Sequence, residues 1–257
     1  MFMTAKGNDF MNLRLSRWTD GDYAEFVGFL KEQSDEKYRR FHCSLVPNVQ
    51  SELVLGIRMP RLREISREIA KGNPQSFLDC SNGSLYEERM IRGIVTGLVK
   101  TDSLDGFKAL FDRFSEEVDN WAICDSFCTG LREIKKYRKE FFDYLDVYVK
   151  SDNEWKIRIA LVAMLDYYLD DEYIDPVLRR CDSVKQTGYY VSMARAWLVA
   201  TAFAKCREKT ERYLSCNSLD DETFNRAIQK CVESRRIDAE TKEYLKTLKR
   251  KKVEQTG

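Results

Sequence analysis

An all-α protein built from stacked pairs of helices is what this sequence predicts, on three observations. Only 4 prolines and 12 glycines interrupt the 257 residues, too few turn formers for many short strands and well suited to long helices. Helix-start signals recur near Ser84, Asp119, Asn153, Gly188 and Asp220, at intervals of 32 to 35 residues, close to the period of helical-pair repeats. Residues 157–165 are apolar at every position but Arg158, as expected of a helix with neighbours on several sides.

Taken in order, residues 22–32 and 35–43 read as helices and 47–60 as a loop. A helix over 61–71 enters after Pro60 and stops at Gly72-Asn73-Pro74. From Ser84 the pairs become regular: 84–99 with 103–114, 119–131 with 135–149, and 153–169 with 173–181. The last two are 187–205 with a short helix over 208–214, and 220–234 with 238–249. Stacked pairs of this kind bury a shared core and curve into an α-α superhelix with a concave face. The Trp, Leu-Gly and Tyr pattern of tetratricopeptide repeats is missing, so the expected architecture is a HEAT-like helical-repeat solenoid. One domain spans 1–257, with 1–83 less regular and 84–252 carrying the repeats.

With 43% apolar and 33% charged residues the composition is that of a soluble globular protein, not a disordered one. The formal charge of +1 advertises no polyanionic partner, so nucleic-acid binding has to come from local patches. Two exist. Arg132, Lys135, Lys136, Arg138 and Lys139 are broken only by Glu133, and the tail carries Lys242, Lys246, Lys249, Arg250, Lys251 and Lys252 against Glu243. Taken alone, each cluster reads as a solvated helix face before it reads as a ligand site. None of the 8 cysteines forms a CxxC pair; Cys124 and Cys128 have helical i,i+4 spacing but no second pair or nearby histidine completes a metal site. Reduced thiols in a cytoplasmic protein are expected. The first residues lack an apolar core of signal-peptide length, and no segment approaches a membrane span.

The residues that look like chemistry are few. In Trp121-Ala-Ile-Cys-Asp125 an indole and a carboxylate lie four residues apart, on one face of a helix. Arg158 interrupts an apolar helix, where an unpaired guanidinium would cost several kcal/mol; it must find a carboxylate, with Asp125 one repeat earlier the natural partner, or face a solvent-filled groove. Trp197 sits in a third apolar helix. Tryptophans usually fill cores, but Trp121, Trp155 and Trp197 recur at intervals of 34 and 42 residues and could present indoles along one side. The sole histidine, His42, has no evident partner, which argues against a Ser-His or metal hydrolase.

Several segments, in order and spacing, resemble the AlkD-type DNA alkylation repair proteins, a HEAT-like family of alkylpurine DNA glycosylases. They are Gly56-Ile-Arg-Met-Pro-Arg-Leu-Arg63, Tyr86-Glu-Glu-Arg89, Val118-Asp-Asn-Trp-Ala-Ile-Cys-Asp125, Glu154-Trp-Lys-Ile-Arg-Ile-Ala160 and Tyr189-Tyr-Val-Ser-Met-Ala-Arg-Ala-Trp197. The resemblance covers residues 38–250. It implies a catalytic aspartate at Asp125, sugar-facing tryptophans at Trp121 and Trp197, and the cleft arginine at Arg158. It also implies a basic concave face that grips duplex DNA containing alkylated bases; Lys135, Lys136, Arg138, Lys139, Lys249 and Arg250 are the candidate DNA contacts, either lining that groove or coating the back, and a monomer is expected. The chain departs from the family in Leu198-Val-Ala-Thr-Ala-Phe203, where many members carry an Arg-Glu pair, and at Met193, where lysine is common.

The implied reaction is hydrolysis of the N-glycosidic bond of a purine alkylated at N3 or N7. Such a base already carries positive charge and leaves without protonation, so one carboxylate suffices where ordinary glycosides need two. No metal or organic cofactor is expected. The alternative is a non-catalytic HEAT-like scaffold that binds DNA or another protein.

Overall fold

Capping chemistry fixes most element boundaries in the computed structural model, which describes residues 11–46 and 49–251. In the N-terminal part the elements are α1 (Asp20–Glu32), α2 (Glu36–Leu45), α3 (Met59–Ala70), α4 (Pro74–Cys80), α5 (Tyr86–Leu98), α6 (Leu104–Ser115) and α7 (Trp121–Gly130). Then follow α8 (Arg138–Val149), α9 (Glu154–Tyr167), α10 (Ile174–Ser183), α11 (Tyr189–Lys205), α12 (Arg207–Ser215), α13 (Asp221–Glu233) and α14 (Ala239–Thr247). Side-chain oxygens of Thr19, Asp35, Asn73, Ser103, Asn120, Asn153, Asp220 and Asp238 accept first-turn amides at eight of these helices, satisfying donors that have no partner within the helix. Among the described residues there is no strand, so the all-α expectation holds. No helix there is long and apolar enough to cross a membrane.

Three boundaries differ from expectation. Pro74 does not merely stop α3: it is the first residue of α4, where its missing N–H costs nothing, and burial of Phe77 against Trp18 at 5.0 Å and Phe26 at 5.3 Å holds that short helix in place. The helix expected over 135–149 starts later, at Arg138, with a 3-10 turn at Arg132–Lys135 ahead of it. The expected loop over 47–60 contains a 3-10 turn at Ser51–Leu53, and α3 begins at Met59 with Pro60 already in its first turn. Pro47 in that loop and Lys252 in the basic tail lie outside the described residues.

The chain divides after Glu133 into two compact units. In the first, α5 lies between α3 and α7. Gly97 makes the α5–α7 approach possible, since a Cβ there would stand 2.5 Å from the Gly130 backbone. The neighbouring core is aromatic, with Phe127 packed on Phe114 at 4.8 Å and on Phe111 at 5.5 Å. The loop before α3 is fixed by charge. Gly56, at φ 84° and with room for no Cβ beside the Asp35 carbonyl, presents its amide to the Glu87 carboxylate at 2.7 Å, and Leu55 and Ile57 donate to the same group at 2.9 and 3.2 Å. The next residue, Glu88, closes the first turn of α5 by accepting from Gly83 at 2.6 Å and from Leu85 at 3.3 Å.

In the second unit α9, α11 and α13 pack side by side. Their shared surfaces are nearly all apolar: every α9 residue from Ile157 to Leu165 is buried, and so are ten of the seventeen residues of α11. The other helices, α8, α10, α12 and α14, cover this layer. Polar clamps join them, as where the Arg180 guanidinium of α10 stacks 3.6 Å over Phe142 and pairs with Asp146 of α8. Of the expected helix pairs, α5 with α6, α11 with α12 and α13 with α14 are packed on each other, whereas the pair expected over 119–131 and 135–149 is parted by the division after Glu133, and α9 packs chiefly on α8 and α11 rather than on α10.

Candidate functional site

Helix α7 places the first two candidates. Asn120, itself buried, accepts from the amides of Ala122 and Ile123, both at 3.1 Å, and so fixes where the helix begins. Ala122, Ile123, Cys124, Phe127 and Cys128 are buried, which leaves one accessible stripe carrying Trp121, Asp125 and Thr129. Trp121 and Asp125 are both half-buried on it, one helical turn apart. Upstream, Arg89 of α5 pairs with Asp119 at 2.8 Å, a charge pair at the entrance to α7.

Arg158 and Trp197 belong to the second unit. Arg158 is only 5% exposed, and its Nη1 donates to the Tyr190 carbonyl at 3.0 Å. Burying a guanidinium requires such fixed acceptors. Beside it Trp155 packs on Tyr190 with ring centroids 4.6 Å apart, so Trp155 serves a local aromatic stack. On α11 the residues not buried are Tyr189, Tyr190, Met193, Trp197, Thr201, Ala204 and Lys205, a single stripe at helical spacing with Trp197 at its middle.

The expected DNA-binding residues separate into two kinds. Lys135, Lys136 and Lys139 are exposed, as is Lys249, whose Nζ donates to Gln229 at 2.8 Å. The two arginines are bound into the fold. Arg138 pairs with Asp170, donates to the Tyr167 carbonyl at 3.1 Å and lies 4.5 Å over Tyr173. Arg250 donates to the Leu219 carbonyl at 2.6 Å, pairs with Asp221 at 3.2 Å and covers Phe224 at 4.1 Å.

Sequence reasoning did not single out the groove of about 530 Å³ into which Trp197 opens. Its lining includes Asp166, Thr201, Lys205, Lys230 and Arg236. Thr201 and Lys205 follow Trp197 at i+4 and i+8, a signal present in the sequence. Lys230 and Arg236 come from α13 and the turn after it, and only packing brings them to the same place. Among the described residues no group of three or more His, Cys, Asp or Glu side chains could hold a metal ion. His42 packs on Tyr86 at 5.1 Å, and burial lowers its pKa, favouring the neutral ring. Cys124, Cys128, Cys181 and Cys231 are buried free thiols, and burial pushes Cys181 up to about 11 and Cys231 up to about 12; all are inert by position.

Comparison with curated proteins and with solved structures returns no match. A family model described as DNA alkylation repair enzyme matches residues 24–230, a span from within α1 to within α13 that takes in all four candidates above. With its HEAT-like all-helical build, the chain therefore belongs to the DNA alkylation repair enzyme family.

Proposed function

We propose that this protein is a monofunctional DNA glycosylase that releases purines carrying a cationic N3 or N7 alkyl group from duplex DNA. The observation that carries this reading is the accessible stripe of α7, which presents the Trp121 indole and the Asp125 carboxylate one turn apart in a chain of the DNA alkylation repair family. As the glycosidic bond lengthens, positive charge builds on the deoxyribose. Asp125 stabilises that charge and positions the attacking water, and the faces of Trp121 and Trp197 add cation-π stabilisation. The base leaves with the bonding electron pair, which neutralises its existing charge, so no general acid is required.

Arg158, oriented by the Tyr190 carbonyl, is assigned to the backbone phosphate beside the lesion. The exposed Lys135, Lys136, Lys139 and Lys249 supply phosphate contacts farther along the duplex. Arg138 and Arg250 brace those two clusters from within the fold.

The test is release of 7-methylguanine and 3-methyladenine from methylated duplex DNA. Wild-type protein in excess releases both, whereas Asp125→Asn releases neither and still binds the duplex. Release no faster than spontaneous depurination overturns the proposal; salt-dependent binding without release points to the non-catalytic scaffold.

A further inference from the structure

The second unit holds a feature that the four catalytic candidates do not explain. From Trp197 the accessible stripe of α11 runs through Thr201 and Ala204 to Lys205 and forms one wall of the groove of about 530 Å³. The opposite wall is Lys230 and Glu233 of α13, with Ser234 and Arg236 following, and Leu165 and Asp166 of α9 close one side. Small side chains at Ala200, Thr201 and Ala204 keep the groove open next to the indole.

Its charges are unusual for this chain. Arginines elsewhere are commonly held in ion pairs, as Arg92 is with Glu117, Arg113 with Asp79 and Arg195 with Asp220. Among the described residues Lys205, Lys230 and Arg236 make no ion pair. Lys205 and Lys230 stand in the last turns of α11 and α13, where a cation complements the helix dipole. Yet among the described residues neither ammonium hydrogen-bonds a terminal carbonyl. Of the two acids, Glu233 accepts from Gln229 at 2.9 Å and Asp166 also has a partner, so each is at least partly engaged while the cations are not.

We infer that this groove is a phosphodiester site, in which Lys205, Lys230 and Arg236 hold the backbone of the DNA strand that passes Trp197. Flexible lysines and a forked guanidinium suit oxyanions, and the small, mostly polar lining offers no apolar pocket for a base or a hydrophobic peptide. The site rests on the proposed function only for the identity of the polymer. It makes Lys205, Lys230 and Arg236 positioning residues that set the register of the strand against the indole.

The experiment is binding of an unmodified, fluorescently labelled DNA duplex over a salt series. Replacing all three cations, Lys205→Gln with Lys230→Gln and Arg236→Gln, lowers the log-log salt slope by about two to three units and weakens binding ~10²-fold or more at about 0.1 M salt. Arg179→Gln, which removes an exposed charge from α10 outside the groove, changes the slope by far less. Ala204→Glu, which leaves the cations in place and puts a carboxylate in the wall, weakens binding as well. The inference is overturned if the triple variant matches Arg179→Gln, or if wild-type protein does not bind the duplex. Because the readout needs no base release, a protein that binds through this groove but excises nothing sinks the glycosylase reading and leaves the site standing.

Discussion

The Glu87 carboxylate and the Gly56 amide meet at 2.7 Å, and through this bond the first turn of α5 holds the loop that leads into α3. Two segments far apart in sequence thus form one structural joint, since Leu55 and Ile57 donate to the same carboxylate. Burial raises the Glu87 carboxyl above its ordinary range, against the pull of the three amides. Glu87→Gln keeps the shape but turns an N–H₂ toward backbone donors. It is expected to cost about 2 kcal/mol, read as a lower urea midpoint with unchanged m-value.

Gly97→Ala tests the α5–α7 contact. The added methyl would stand 2.5 Å from the Gly130 backbone, which cannot step aside as a side chain could. The expected loss is about 3 kcal/mol, seen as a depressed melting temperature. Because α7 carries Trp121 and Asp125, base release should fall even below the melting range.

Trp197 offers a graded test. Trp197→Phe retains an aromatic face and is expected to lower kcat by about threefold, a part of the ~1 kcal/mol (about fivefold in rate) of cation-π stabilisation the indole supplies. Trp197→Ala removes the face altogether and should lower kcat further, with duplex affinity changing much less than kcat. Equal losses in kcat and affinity for both variants would show that the indole serves only to bind.

Acid should loosen the first turns of α1 and α14. Hydrogen bonds from Thr19 hold the Asp22 carboxyl below the ordinary aspartate range, and those from Thr241 do the same for Asp238. A carboxyl lowered in the folded state adds stability that is fully present above the unfolded value of about 3.9 and is lost as pH falls through the folded value. Amide exchange in the first turns of α1 and α14 is therefore expected to accelerate below about pH 4. Asp238→Asn should keep the α14 cap and remove the acid dependence there.

Much of the fold is legible because its signals are local. Ser103, Asn153, Asp220 and Asp238 announce their helices by side chain alone, and α6, α9, α13 and α14 begin at the residues that follow them. Helix α4 is not legible, because Pro74 can end one helix or begin another and the choice is made by Phe77 meeting Trp18 and Phe26 across the sequence. The pairing of Trp121 with Asp125 follows from helical spacing within one element. The burial of Arg158 against Tyr190 and the meeting of Lys205 with Lys230 and Arg236 depend on neighbouring helices. Charge counting likewise could not separate Arg138 and Arg250, committed to internal acceptors, from the exposed lysines beside them.

Ten of the seventeen residues of α11 are buried, which narrows how this protein can diversify. Substitutions at those ten positions would be removed by misfolding before any change of substrate could be selected. Met193, Thr201 and Ala204 stand outside that constraint, so laboratory evolution of duplex binding should accumulate its successful changes there and leave thermal stability nearly untouched.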